Sequence, residues 1–244
     1  MNSEELTKLL TNNIDKGSYK YAQPIPSERQ LAETYKMKRA SVKKAIQNLV
    51  QKDYLLSVHG KGTFVKKNIH ENLQIKFYGF SELVEREGLK PSTMILASAV
   101  KKAGHIVSRA LKIQPTDLVF HIVRLRSGND EPISIEDTYI PLALIPDLQL
   151  FDFQIFSFYS VLAANNYQID NIYQTVSSSK VRKNEARLLK TAINQPVITM
   201  KIQAITNKEQ VVEYTEVAVL PEFAAIYTKN ISCGKETKIY AQID

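Results

Sequence analysis

The stretch from Pro26 to Val65, PSERQLAETYKMKRASVKKAIQNLVQKDYLLSVHGKGTFV, constrains the fold more than any other part of the chain. Ser27 followed three residues later by Gln30 makes a capping box, so a helix starts there with Leu31, Ala32 and Tyr35 on its core face. Met37 and Lys38 form a short turn. A second helix follows from Arg39 to about Lys52, with Val42, Ala45, Ile46, Leu49 and Val50 at the spacing of one buried face. Arg39, Lys43, Lys44 and Gln47 fall off that face. Leu55–His59 and Thr63–Lys67 then read as two short strands joined by Gly60-Lys61-Gly62, where glycine permits a tight tip and lets Lys61 approach a partner closely. A preceding helix is expected from Ser3, as its cap, with Leu6, Leu9, Leu10 and Ile14 inward and Gly17 as its end. The segment 18–24 between these helices reads as loop, held extended by Pro24 and Pro26. Three helices and a glycine-tipped hairpin predict a winged helix-turn-helix, whose second helix of the motif enters the DNA major groove.

The charge distribution supports a polyanion partner. Up to Ile69 there are 13 Lys and Arg against 6 Asp and Glu, whereas from His70 onward there are 19 of each. The whole excess of +7 sits in the first quarter of the chain, as expected for a basic module attached to a neutral one. Arg29 in the first turn of its helix opposes the helix dipole, a local cost that makes sense if the guanidinium meets phosphate or base edges. No apolar run reaches the ~18 residues of a membrane span, and the acidic start MNSEELTKLL lacks a signal-peptide core, so a cytoplasmic protein is expected. Cys233 is the single cysteine, which excludes an intramolecular disulfide. His59, His70, His105 and His121 have no ligand spacing to one another or to Cys233, so neither a metal nor another cofactor is expected.

The motifs PSERQLA, KRASVKKAIQNL and HGKGTFV together resemble the DNA-binding domain of the GntR family of bacterial transcription regulators. The resemblance implies DNA-contacting roles for Arg29, Arg39, Ser41, Lys43 and Gly60, and the basic and polar neighbours Lys38, Lys44, Lys61 and Thr63 complete the candidate set. Two positions depart from the family pattern. Lys38 stands where a serine usually caps the recognition helix, an exchange worth ~1 kcal/mol. Lys43 stands where arginine is frequent, and lysine lacks the bidentate fork that reads guanine.

The polar stretch 68–76 reads as a linker between a DNA-binding domain over 1–67 and a second domain over 77–244. The second domain alternates β-rich stretches (Met94–Lys101, Leu118–Arg126, Ile133–Ile140, Ile172–Ser179, Val197–Thr206, Val211–Val219) with helical ones near Phe80–Gly88, His105–Leu111, Ser157–Asn165 and Arg182–Lys190. Gly128–Glu131 and Asn207–Glu209 read as hairpin turns. The class is α+β with a mostly antiparallel sheet. Within Arg124-Leu125-Arg126 the two guanidinium groups share one face of a strand, a suitable clamp for a carboxylate or phosphate, although the tripeptide alone reads equally as a solvated outer face.

RLRSGNDEPISIEDTYIP, then SFYSVL, then VVEYTE resemble the UTRA effector-binding domain of the HutC-like branch of GntR regulators, whose fold is similar to chorismate lyase. The resemblance implies an anion clamp of Arg124, Arg126, Ser157 and Tyr159, ligand hydroxyls on Glu136 and Glu213, and further contacts from Ser92, Thr93 and Met94. It also implies a tyrosine over the ligand at the position held by Val219. The expected protein is a homodimer that binds double-stranded operator DNA, most plainly as a repressor, and responds to a small anionic metabolite such as a phosphorylated sugar. Two other readings stay open from sequence: a lyase-like enzyme acting on a small carboxylate with secondary DNA binding, and a dimerisation scaffold without a ligand.

Overall fold

The computed structural model describes residues 1–66 and 77–228, and the backbone of 239–241. It divides into two compact units, Met1–Leu73 and Gln74–Asp244. The proposed linker 68–76, His70 and Cys233 lie outside the described residues.

The first unit holds helices α1 (Ser3–Asp15), α2 (Glu28–Thr34) and α3 (Arg39–Gln51), then strands β1 (Leu55–Val58) and β2 (Gly62–Val65). Asn2, not Ser3, caps α1: its Oδ1 accepts from the Glu5 N–H at 2.9 Å, and Glu5 accepts from the Asn2 N–H at 3.0 Å. The cap moves by one residue because only Asn2 has a glutamate at the third helical position to complete a reciprocal box. Ser27 and Gln30 make the expected box on α2. Leu6, Leu10 and Ile14 pack with Val42, Ala45, Ile46 and Leu49 into the core of this unit, closed by Leu55 and Val65. The stretch expected as plain loop does more. Ala22 donates to Val65 O, Val65 to Gln23 O and Ile25 to Thr63 O, so residues 22–25 run alongside β2, with an isolated antiparallel bridge between Pro24 and Phe64. At the tip Gly60 has φ +74° and Gly62 φ +119°, conformations that side chains other than glycine's rarely tolerate.

The second unit is a seven-stranded sheet in the order β3-β4-β5-β8-β7-β6-β9. Its strands are β3 (Pro91–Lys102), β4 (Leu118–Gly128), β5 (Glu131–Pro141), β6 (Ile169–Lys180), β7 (Pro196–Thr206), β8 (Val211–Val219) and β9 (Ile239–Ala241). All neighbours are antiparallel except β6 and β9, which run parallel at the edge. The helices are α4 (Phe80–Arg86), α5 (Gly104–Leu111), α6 (Phe158–Ala164), α7 (Lys183–Leu188) and α8 (Ala224–Thr228). The β4–β5 hairpin turns on Asn129 and Asp130, both left-handed at φ 50° and 65°, the twist-matched two-residue connection. From Ile122 to Gly128 on β4 and from Ser134 to Ile140 on β5 the even-numbered residues are buried and the odd-numbered ones half-exposed. The buried face meets α4, α6 and a run of phenylalanines in which Phe120 and Phe158 both pack against Phe153. That alternation carries the arginines of β4 inward. Among the described residues no helix is long and apolar enough to cross a membrane, and no group of three metal-ligating side chains forms.

Candidate functional site

Two sites follow from the sequence reading, one on each unit. On the first, α3 buries Val42, Ala45, Ile46 and Leu49. That burial turns Arg39, Lys43 and Lys44 to solvent, all exposed, with Ser41 half-buried among them. No acidic residue occurs in α3, so this face is uniformly positive. Lys38 occupies the cap position with its side chain making no cap hydrogen bond. Arg29 projects from α2, with an exposed contact to Glu33 at 3.8 Å. On the wing, Gly60 and Lys61 are exposed, and the half-buried Thr63 pairs its hydroxyl with that of Ser57 across the hairpin at 3.0 Å.

The second site is a pocket on the inner face of the sheet. It is lined by side chains of β4 to β8, by the starts of α4 and α6, and by Tyr227 of α8. Register assembles it. Arg124 lies opposite Glu136 and Arg126 opposite Ser134 between β4 and β5, while Thr138 lies opposite Thr215 between β5 and β8. Arg124, Arg126, Glu136 and Glu213 are all 5% exposed or less. Glu136 Oε2 sits 2.9 Å from Arg124 Nη2 and 3.0 Å from Arg126 Nε. Arg124 Nη2 also donates to Thr138 Oγ1 at 3.1 Å, and Arg126 Nη1 donates to Thr93 Oγ1 at 2.5 Å. The Arg126 guanidinium lies 4.4 Å over the Phe80 ring. Thr215 donates to Glu213 Oε1 at 2.7 Å, and its hydroxyl lies 3.0 Å from that of Thr138. A polar ladder thus crosses four strands of an otherwise apolar layer.

The ladder is unevenly satisfied. The Nε groups of both arginines, Glu213 Oε2 and Gln174 Oε1 are buried without a hydrogen bond. Arg126 Nε is close to Glu136 but at an angle that makes an ion pair without a hydrogen bond. Such groups are costly unless something else binds them. The two carboxylates differ in state. Burial pushes Glu136 up, but Arg126 and Arg124 outweigh it and hold the group below the usual carboxylate range. Burial pushes Glu213 up, and it stays above the usual range despite Thr215, Arg124 and the Tyr159 phenol. Desolvation lowers Arg126 to about 10, against the pull of Glu136. Glu136 therefore holds its charge between two cations in a low-dielectric site, and Glu213 beside it gives up its proton less readily than an ordinary carboxylate.

The structure brings Arg124, Arg126, Glu136, Ser157, Tyr159 and Glu213 into one lining. The solvated alternative for Arg124 and Arg126 does not hold, because the inward parity of β4 buries both. Ser157 caps α6 by accepting from the Ser160 N–H at 3.1 Å. Thr93 reaches the site through Arg126, but Ser92 and Met94 are exposed and do not line it. Alternation on β3 permits only one parity to face inward. Val219 is buried opposite Ser134 without lining the pocket. Several contributors have weak sequence signals. Thr138 and Thr215 share the parity of Glu136 and Glu213, two residues away, which was readable in principle. Gly79 is required by space, since a Cβ there would meet the Ser157 Cβ at 2.9 Å. Tyr227, from beyond the last long strand, had no local signal.

Comparison with known proteins agrees with this architecture. Residues 86–222 match the UTRA domain, and residues 2–65 match the bacterial regulatory proteins of the gntR family. The chain is 30% identical over 208 residues to the uncharacterized HTH-type transcriptional regulator YurK of Bacillus subtilis, covering 84% of this chain and 86% of the relative. It is 24% identical to MngR, the mannosyl-D-glycerate transport/metabolism system repressor of Escherichia coli, over 86% of this chain and 88% of the relative. The crystal structure of PhnF from Mycobacterium smegmatis superposes with a TM-score of 0.57 at 17% identity, covering all of this chain and 99% of that one. A winged helix-turn-helix unit and an α+β unit of this topology, matched by both family models, make this chain a member of the GntR family of transcription regulators with a UTRA domain.

Proposed function

We propose that this regulator is a cytoplasmic homodimeric repressor that holds a two-fold operator through α3 and the β1–β2 wing, and lets go when a small anionic metabolite, of the phosphorylated-sugar class, fills the pocket around Arg124 and Arg126. The observation that carries the proposal is the buried arginine pair sharing one carboxylate, with Glu213 and the Tyr159 phenol beside it in the same lining. The arginines suit an anionic group, and the carboxylate oxygen suits a hydroxyl. The relative MngR, a repressor of a system for a glycosylated acid, supports an anionic sugar derivative in this class of pocket. A homodimer follows from operator symmetry, since one winged helix covers one half-site. Within this reading the exposed basic residues of the first unit (Arg29, Lys38, Arg39, Lys43, Lys44 and Lys61), with Ser41, Gly60 and Thr63, form the DNA face. Effector binding changes the spacing of the two reading heads with a coupling of ~1–3 kcal/mol. The second unit acts as a sensor and not as an enzyme: its charged groups are committed to holding one another and an anion.

The test is a thermal-shift panel of sugar phosphates, sugar acids and amino acids on wild type and Arg124→Ala. A true effector at 100 times its Kd adds ~2.7 kcal/mol of stability, and that gain disappears in the variant while operator binding without effector persists. A stabilising compound with equal effect on Arg124→Ala would refute the anion clamp. Turnover of the bound compound would replace the sensor reading with an enzymatic one.

A further inference from the structure

The pocket is already occupied by part of the protein. Tyr227 reaches into it from α8, a helix of 5 residues. Its hydroxyl donates to Glu136 Oε1 at 2.8 Å and lies 2.5 Å from Ser134 Oγ. Its backbone carbonyl accepts from Gln174 Nε2 at 3.1 Å, and its ring lies 6.1 Å from that of Phe80. Ser134 is fully buried and stands opposite Val219. A valine offers it nothing polar, so Tyr227 supplies the partner. With Oε2 held by the arginines and Oε1 by Tyr227, Glu136 has both oxygens engaged before any ligand arrives.

Space leads to the same residue. The cavity is about 60 Å³, well short of the ~300–1,000 Å³ typical of small-molecule sites. The arginines, Glu136 and Glu213 sit on strands paired on both sides. Tyr227 sits outside the sheet, on a short helix whose Ala225 and Thr228 are exposed.

We propose that Tyr227 is the gate of the effector pocket: its phenol stands in for a ligand hydroxyl on Glu136, and an effector larger than a simple anion binds by displacing it and moving α8. The inference rests on the effector-site reading above. It sets specificity in two ways. The ligand must carry a hydroxyl able to replace the phenol on Glu136, and a bare anion occupies the arginines without moving α8.

The experiment uses full-length wild type, Tyr227→Phe, Tyr227→Ala and Arg124→Ala, with inorganic phosphate and glucose 6-phosphate as probes in titration calorimetry. Amide exchange over Ala224–Thr228 is followed alongside. Removing the phenol's hydrogen bond to Glu136 should tighten glucose 6-phosphate roughly tenfold, the equivalent of one net hydrogen bond. Phosphate should stay within twofold, and glucose 6-phosphate but not phosphate should speed exchange of α8. Tyr227→Phe covers the case in which the alanine variant fails to fold. Weaker sugar-phosphate binding in Tyr227→Phe would overturn the gate and make Tyr227 a direct ligand contact. Unchanged affinity would also overturn it, leaving a structural tyrosine, as would glucose 6-phosphate failing to bind either tyrosine variant while phosphate binds. Phosphate binding that is absent from wild type, or insensitive to Arg124→Ala, would instead refute the effector site itself.

Discussion

Both units concentrate positive charge, and they do so under opposite physical conditions. On α3, Arg39, Lys43 and Lys44 stand in water. In the pocket, Arg124 and Arg126 are withdrawn from it and face Glu136. An exposed cation costs folding almost nothing and acts at a distance, screened by salt over a Debye length of ~8 Å at physiological ionic strength. A buried cation costs several kcal/mol of desolvation and is tolerated only with partners. Function should therefore separate cleanly from stability in the reading head and be entangled with it in the pocket.

The largest effect should come from breaking the entanglement. Glu136→Gln leaves two buried guanidinium groups without their carboxylate and should destabilise the second unit by ~3–5 kcal/mol, read by urea denaturation. Saturating phosphate should restore part of this loss, because an anion can take the place of the missing charge. The pH dependence follows from the same group. The native pKa of Glu136 lies below its unfolded value, so its stabilisation is complete above the ordinary carboxylate range and is lost as pH falls through the native pKa. The variant should lose that part of the acid dependence. Glu136→Gln unfolding at the wild-type urea midpoint would mean that the ion pairs contribute nothing, and the contrast between the two units would fail.

The reading head should show the reverse. Arg39→Ala should weaken operator binding by ~1–3 kcal/mol in a gel-shift or anisotropy titration, with the urea midpoint unchanged, since an exposed side chain away from special features shifts stability by at most ~0.5 kcal/mol. The equivalent exchange at Arg124 cannot be so clean. A destabilised Arg39→Ala, or one with full operator affinity, would remove Arg39 from the DNA face.

The same contrast explains what could be read from the sequence. Local periodicity located α3, the wing and β8, whose bounds at Val211–Val219 coincide with the expected strand, because each element's burial repeats along its own few residues. Parity placed Arg124 and Arg126 on one face, and the structure shows which face. Contacts that depend on distant segments were not legible. Tyr227 meets Glu136 across 91 residues, and nothing in AAIYT marks that destination. Residues 22–25 join the wing through backbone hydrogen bonds, which leave no trace in the sequence beyond the buried Ala22 and Ile25. The Ser92–Met94 expectation treated three neighbours alike, whereas a strand turns only Thr93 toward Arg126.

The smallest expected effect tests whether the reading head is tuned for DNA at the expense of its own helix. Lys38 occupies the cap of α3 without a capping bond, and as a cation it also opposes the positive end of the helix dipole. Lys38→Ser should stabilise the first unit by ~1 kcal/mol through a bond to a free N–H of the first turn, seen as a higher urea midpoint. The lost cation should at the same time reduce the salt slope of operator binding by about one if Lys38 neutralises a phosphate. A gain in stability with an unchanged slope would make Lys38 a poor cap without a DNA contact. The paired outcome, more stable and less salt-dependent, would place Lys38 on the DNA and show that this face gives up helix stability for charge.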